Sequence, residues 1–270
     1  MSSCGQFSKA WEDLEFSDNY IFCKVMENTE LCKELLEILL HIKIHHLEKP
    51  ISERTILPSY DAKGVRLDVY VQDSNKVFDI EMQTGNYEDL LLRARYYQVG
   101  MDLGETPRRT KYKDLKETYI IFICKDDPFS MGCPVYTKKS YFEECPEFNY
   151  QDKTHFVVYN SSAYEKEKDK EVKSVLKFIY GMRPDTSFTN KLETTVNEMK
   201  QEQSLKEGYM DFVDYVEEEK DEAVLQKSIQ TAKNMLKRGK MTLEEIAEDT
   251  ELPLEKIEAL SNEVLVKNEK

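Results

Sequence analysis

Hydrophobic residues near the start of the chain recur with the period of a helix. In SDNYIFCKVMEN, Tyr20 and Cys23 are three positions apart and follow Asp18, a residue type that caps helices. The next segment, TELCKELLEILLHI, carries its leucines on one broad stripe. We therefore expect two consecutive helices before residue 50.

The pattern then changes to strict alternation in GVRLDVYVQDSNKVFDIEMQ, residues 64–83. Alternation with a period of two indicates strands that have one apolar and one polar face. Ser74 and Asn75 lie between the two alternating runs, and Asn tolerates the left-handed backbone of tight hairpin turns. This stretch is thus predicted to be an antiparallel β-hairpin.

A turn centred on Ser74 and Asn75 also fixes the register of the hairpin, because paired residue numbers then sum to 149. Asp68 is expected directly across from Glu81. Facing β-carbons are about 4.5–5.5 Å apart, so two carboxylates there repel each other unless a cation lies between them. Carboxylate oxygens suit Mg²⁺ or Mn²⁺. The alternative is a solvated polar face on an edge hairpin, with Arg66 neutralising one acid.

Further along, the pattern predicts one more helix and at least one buried strand. NYEDLLLRARYYQVGMDLG has helical spacing, and ETYIIFICKDD is a continuous apolar run typical of a strand covered on both faces, with THFVVYN a weaker second case. After about residue 164 the sequence becomes charged and helical. We predict an α/β core, a mixed central sheet flanked by helices, over residues 1–182 and an α-helical region over 183–270.

The chain closes with RGKMTLEEIAEDTELPLEKIEALSN, which has the outline of a helix-turn-helix pair. Its second helix would present Glu255 and Glu258, which DNA phosphates would repel. We interpret it as a packing or oligomerisation element, so a homo-oligomer formed through the C-terminal helices is a hypothesis.

Charge narrows the possible partners. The formal net charge is −14, with −7 on each side of residue 160, so nucleic-acid binding needs a local basic patch. The most basic stretch of the chain is TPRRTKYKDLK, residues 106–116, which carries Arg108, Arg109 and Lys111. It is either a DNA-backbone contact or an exposed loop without a specific role.

Neither the cysteines nor the termini suggest secretion. The six cysteines include no CxxC pair, and with the four histidines they form no zinc pattern. The N-terminus has no apolar signal region, and no run of about 18 apolar residues is present, so we expect no membrane segment. A reduced, cytoplasmic protein is the interpretation.

The hairpin together with the helix after it resembles the PD-(D/E)XK nuclease family transposases, also described as Rpn-type recombination-promoting nucleases. The similarity rests on Asp68, the strand FDIEMQ, and Arg93 followed by Tyr96-Tyr97. The segment DNYIFCKVM is similar to the opening element of that family, with Asp18 as its acid.

The resemblance implies a restriction-endonuclease-like fold and Mg²⁺-dependent hydrolysis of DNA phosphodiesters. Asp68 and Glu81 would hold the metal, Mg²⁺ or Mn²⁺, and Gln83 would position the attacking water. Gln83 stands where the wider superfamily has a Lys, and an amide cannot deprotonate water. The alternative is therefore a catalytically inactive member that binds DNA or a protein partner.

Three further roles follow from the same resemblance. Arg93 and Tyr96 would contact DNA, together with the basic stretch. Asp18 would add an acid to the metal site, although it is also well placed to cap the first helix. A link to recombination and mobile elements is implied as well.

Overall fold

The computed structural model of the protein describes residues 9–56, 64–85, 87–106, 109–148 and 152–268. The chain divides into two compact units, the first ending at Gln203 and the second beginning at Ser204. The first unit contains all six described strands, and the second is helical.

The first unit is built on a six-stranded sheet. The strands are β1 (Ile51–Ile56), β2 (Val65–Gln72), β3 (Lys76–Gln83), β4 (Glu117–Cys124), β5 (Val135–Thr137) and β6 (Thr154–Asn160). Their order in the sheet is β1-β2-β3-β4-β6-β5. β2 pairs with β1 and with β3 in antiparallel fashion, whereas β3, β4 and β6 run parallel and β5 is antiparallel to β6.

Five helices belong to this unit: α1 (Asn19–Met26), α2 (Thr29–Leu40), α3 (Leu90–Glu105), α4 (Lys170–Ile179) and α5 (Ser187–Met199). The two expected N-terminal helices are α1 and α2, and Asn28 caps α2 by accepting from the backbone N–H groups of Glu30 and Leu31. The compact unit extends past residue 182, because α5 buries Phe188, Leu192 and Val196.

One face of the sheet is covered by α3, which is the crossover between the parallel strands β3 and β4. Leu90, Ala94 and Met101 of α3 pack in one apolar cluster with Ile120 and Phe122 of β4. In the parallel register Asp79 lies beside Ile120, and Glu81 lies beside Phe122. The polar positions of β3 therefore share the face that α3 covers.

The second unit consists of α6 (Gln203–Arg238), α7 (Leu243–Thr250) and α8 (Leu254–Asn268). The predicted capping box is present, with Thr242 and Glu245 exchanging side-chain and backbone bonds. The end of α6 packs with α7 and α8 through a small core of Ala232, Ile246, Leu252, Ile257 and Leu260.

The fold prediction is confirmed: a mixed sheet with flanking helices is followed by a helical C-terminal region. The edge strands β1 and β5 were not predicted. Within the described residues, no helix combines the length and the apolar character needed to cross a membrane.

Candidate active site

The hairpin of β2 and β3 has the predicted register. Val69 pairs with Ile80 and Tyr70 pairs with Asp79, so the paired numbers sum to 149. Asp68 and Glu81 are the next facing positions beyond the Val69–Ile80 pair. Both carboxylates consequently lie at the same end of the hairpin.

Asp68 and Glu81 bind each other's strands through their side chains. The backbone N–H of Asp68 donates to Glu81 Oε1 at 2.9 Å, and the backbone N–H of Met82 donates to Asp68 Oδ2 at 3.0 Å. Hydrogen bonds from backbone N–H groups favour the charged form of a carboxylate and fix its orientation. Each carboxylate uses one oxygen in this exchange, so its other oxygen is not held by the backbone of the hairpin.

Arg93, on the first turn of α3, is the cation of the site. Its Nη1 donates to Gln83 Oε1 at 3.0 Å, and its Nη2 lies 3.4 Å from Glu81 Oε2 and 3.3 Å from the hydroxyl of Tyr97. The guanidinium also lies 5.4 Å from the ring centroid of Phe122. Arg93 therefore holds the Glu81 carboxylate and the Gln83 amide in one arrangement.

Asp79 is a third carboxyl on the same strand face, and the alternation pattern alone did not single it out as a site residue. Its side chain has no exposed surface, and among the described residues no N–H or hydroxyl group donates to its two oxygens; its neighbour there is the carboxyl of Glu81. Glu81 is also buried, at 1% exposure. A solvated polar face, the alternative interpretation of the hairpin, is excluded by these two values.

Burial raises the pKa of all three acids. Desolvation raises the pKa of Asp79 and of Glu81 well above the usual carboxyl value, and their mutual repulsion with Asp68 adds to the rise. Desolvation also raises the pKa of Asp68, against the hydrogen bonds from Asn19 and Met82. Arg93 lowers all three pKa values, but by less than burial raises them.

The side chain of α1 that reaches the site is Asn19, not Asp18. Asn19 hydrogen-bonds to the Asp68 carboxylate. Asp18 occupies the N-cap position of α1 without capping it, since its Oδ2 accepts from Lys9 Nζ at 2.9 Å and from the backbone N–H of Glu15 at 2.7 Å. A metal-binding role for Asp18 stays a prediction, and its carboxylate already has these two partners.

The two adjacent tyrosines of α3 have different environments. Tyr97 contacts Arg93, whereas Tyr96 is 37% exposed on the other side of the helix. Tyr97 follows the buried Ala94 by three positions, a helical spacing that agrees with its inward position. The role of Tyr96 in DNA binding stays a prediction.

The basic stretch lies away from the paired acids. Arg109 and Lys111 are exposed, and they precede β4, whose first residue, Glu117, pairs with Lys76 at the start of β3. Lys76 and Glu81 are five strand residues apart, about 16 Å at ~3.3 Å per residue. Arg108 lies outside the described residues. The closeness in sequence that suggested this patch is therefore not a closeness in space.

The acids suit a hard divalent cation only if water and substrate complete its coordination shell. Among the described residues, no group of three or more His, Cys, Asp or Glu side chains is placed to hold a metal ion. Mg²⁺ commonly binds through one or two carboxylates and completes its shell with water and substrate phosphate. Asp68 and Glu81 each keep one oxygen that no backbone N–H group occupies, and this fits that mode, although Arg93 lies 3.4 Å from the remaining Glu81 oxygen.

Residues 12–132 match the family model described as PD-(D/E)XK nuclease family transposase. The match includes every residue of the site described above, and it confirms the resemblance found in the sequence. The mixed sheet with its flanking helices is consistent with the restriction-endonuclease-like fold. No curated protein and no solved structure matches the chain.

The unpaired burial of Asp79 leads to a stability prediction. Asp79→Asn should raise the free energy of unfolding of the metal-free protein at pH 8 by about 1 kcal/mol or more, because one unit of pKa shift corresponds to ~1.4 kcal/mol. A carboxyl with a raised folded pKa stabilises the fold below its unfolded pKa, and this contribution is lost as the pH rises through the folded value. The gain should therefore shrink toward about pH 4.

Urea unfolding in the presence of a chelator at both pH values measures the effect. Asp114→Asn, at an exposed acid, is the matched control and should change little. A variant no more stable than the parent at pH 8 would contradict the account of Asp79.

Proposed function

We propose that this chain, whose residues 12–132 match the family model of the PD-(D/E)XK nuclease family transposases, hydrolyses DNA phosphodiester bonds with the help of a divalent cation. The observation that carries the proposal is the reciprocal bonding of Asp68 and Glu81 across the hairpin. It supports a site in which two carboxylates from adjacent strands share one ion.

The ion supplies what the side chains lack. A bound Mg²⁺ or Mn²⁺ would lower the pKa of its water and offset the charge that develops on the phosphate. Asp68 and Glu81 would hold it through the oxygens that the backbone N–H groups leave over. Hydrolysis then joins a water oxygen to phosphorus and breaks one phosphorus–ester oxygen bond.

Gln83 acts by position and not as a base. Its amide oxygen accepts from Arg93 Nη1, so its amide nitrogen remains as a donor for a water or a phosphate oxygen. Arg93 thus fixes the orientation of the amide, and it adds a positive charge near the scissile phosphate. In this proposal Asp79 does not touch the substrate, and its proximity raises the pKa of Glu81.

The wider contact with DNA rests on local charge. The chain carries −14 overall, so the phosphate backbone must meet exposed cations such as Arg109 and Lys111 together with Arg108. A duplex that spans both the acids and this stretch would cover about 16 Å of β3. The proposed setting is recombination or the movement of mobile elements in the cytoplasm.

A second candidate is a binding protein that has lost catalysis. Arg93 already donates to both Glu81 and Gln83, so a cation of the protein itself partly neutralises the acids. Gln83 in place of a Lys points the same way. Such a protein would bind DNA or a protein partner through the same surface.

A cleavage assay separates the two candidates. Supercoiled plasmid should be cut with Mg²⁺ or Mn²⁺ and left intact with a chelator, and Asp68→Asn or Glu81→Gln should slow cutting at least about 100-fold, because a metal supplies several kcal/mol of transition-state stabilisation. Glu88→Gln, at an exposed acid just before α3, is the control and should cut normally. Binding without cutting would favour the second candidate, and cutting that survives both site variants would refute the assigned residues.

Arg93 should set the pH at which the site binds metal. Its charge lowers the pKa values of Asp68, Asp79 and Glu81, so Arg93→Gln should raise them further. Protons then compete with the ion up to a higher pH. Mn²⁺ binding followed by calorimetry should reach its half-maximal value at a higher pH than in the parent protein. Arg95→Gln, on the same helix, should leave the profile unchanged, and an unshifted Arg93→Gln profile would contradict the electrostatic role.

The basic stretch can be tested through salt. The double variant Arg109→Gln, Lys111→Gln should weaken DNA binding and reduce the slope of log K against log salt by about 1.8, since each lost phosphate contact removes ~0.9. The pair Lys168→Gln, Lys170→Gln removes the same charge from α4 and its N-terminal turn and is the control. An unchanged slope in the first variant would remove the patch from the proposal.

A further inference from the structure

Helix α3 is apolar on two opposite sides. Its inner side packs on the sheet through Leu90, Ala94 and Met101. On the opposite side, four large apolar residues are exposed: Leu92 at 52%, Tyr96 at 37%, Val99 at 48% and Leu103 at 61%. A helix on the surface of a globular protein normally has a polar outer side, so this side lacks the expected pattern.

The four exposed residues form a seam. Their spacings are four, three and four residues, which is the repeat by which two helices pack with knobs into holes. We infer that this seam, defined as Leu92, Tyr96, Val99 and Leu103, binds the same seam of a second copy of the chain, with the two α3 helices antiparallel. The contact is isologous, because one surface is used twice about a two-fold axis.

Charges beside the seam favour the second copy and the antiparallel direction. In the repeat set by the seam, Arg95 and Asp102 occupy equivalent flanking positions, seven residues apart. When one helix is reversed about the midpoint between Tyr96 and Val99, Arg95 of each copy lies beside Asp102 of the other copy. Two symmetric ion pairs then form. In a parallel pair the flanking position of Arg95 and Asp102 lies beside the opposite flank of the partner helix, so these two ion pairs cannot form.

The size of the surface sets the expected strength. A 16-residue helix is about 24 Å long, so two helices alone bury less than the ~800 Å² per partner of a standard interface. A groove of about 410 Å³ lies along the helix, lined by Leu91, Arg95 and Val99 together with Phe156 of β6, and it extends the surface. We therefore expect a weak dimer that forms with rising concentration.

Such a dimer has a consequence that rests on the proposed function. Arg93 follows Leu92 on the same helix, so the two-fold axis of the seam would relate two copies of the acid site. The two strands of a duplex are also related by two-fold axes. A dimer would therefore favour linearised plasmid over nicked plasmid among the products.

The test is sedimentation of the full chain without DNA or metal, so it does not depend on nuclease activity. From about 1 to about 100 µM, the range in which weak interfaces form, the average mass should rise from monomer toward dimer. Val99→Glu with Leu103→Glu should hold it at monomer, and circular dichroism should show an unchanged fold. Met131→Glu, at an exposed apolar residue elsewhere, is the control and should still dimerise.

Charge exchange makes the test specific for direction. Asp102→Arg alone should weaken the dimer about tenfold or more, because two arginines then face each other. Adding Arg95→Asp should restore it. A monomer at every concentration, a dimer that persists in the seam variant, or a charge exchange that fails to restore association would each overturn the inference. A dimer that persists in the seam variant would instead indicate an interface through the C-terminal helices.

Discussion

Three carboxyl groups on one sheet face, two of them buried and Asp68 half-buried, are the constraint on which this molecule is built. A buried carboxylate is strongly disfavoured unless hydrogen bonds or opposite charges compensate it. Asp68 and Glu81 receive backbone N–H groups from each other's strands, and Arg93 approaches Glu81. Asp79 receives no hydrogen bond from any N–H or hydroxyl group of the described residues, and its neighbour is another acid, Glu81. The compensation is thus incomplete, which is typical of a site that binds something rather than of a structural network.

Helix α3 creates this constraint and also relieves part of it. By covering the β3 face it excludes water from Asp79 and Glu81, and its first turn brings Arg93 to them. The close approach depends on Gly100, where an added β-carbon would lie 3.2 Å from Cγ2 of Val65. A β-carbon there would require Val65 or the helix to shift by a few tenths of an ångström. The helix that carries Arg93 is therefore closely packed on β2.

The sequence predicted the parts of the site that depend on local rules. The turn at Ser74 and Asn75 fixed the register, and the register placed Asp68 across from Glu81. Burial of Asp79 could not be predicted, because alternation identifies a polar face but not the helix that covers it. The position of Asn19 was missed for a related reason: Asp18 and Asn19 are adjacent in the sequence, and only the packing of α1 decides which one reaches Asp68.

Edge strands show the same limit at the level of the fold. β1 reads ISERTI and has only Ile56 buried, so it lacks the hydrophobic alternation that a half-buried strand shows. β5 has three residues and exists through its pairing with β6. Both strands are held by backbone hydrogen bonds to neighbours, which side-chain patterns do not report. The central strand β4, with seven of its eight residues buried, was correspondingly easy to predict.

The inner side of α3 lies at the acid site and its outer side carries the proposed seam, so the same helix would connect the site with association. Its inner residues are required by the core, since the sheet face needs a cover, but nothing in the described first unit requires its outer residues to be apolar. Large apolar side chains exposed to water weaken solubility. A partner helix would bury them and would be held by the same backbone that positions Arg93. Association through the seam would therefore restrict the motion of the helix that orients Glu81 and Gln83.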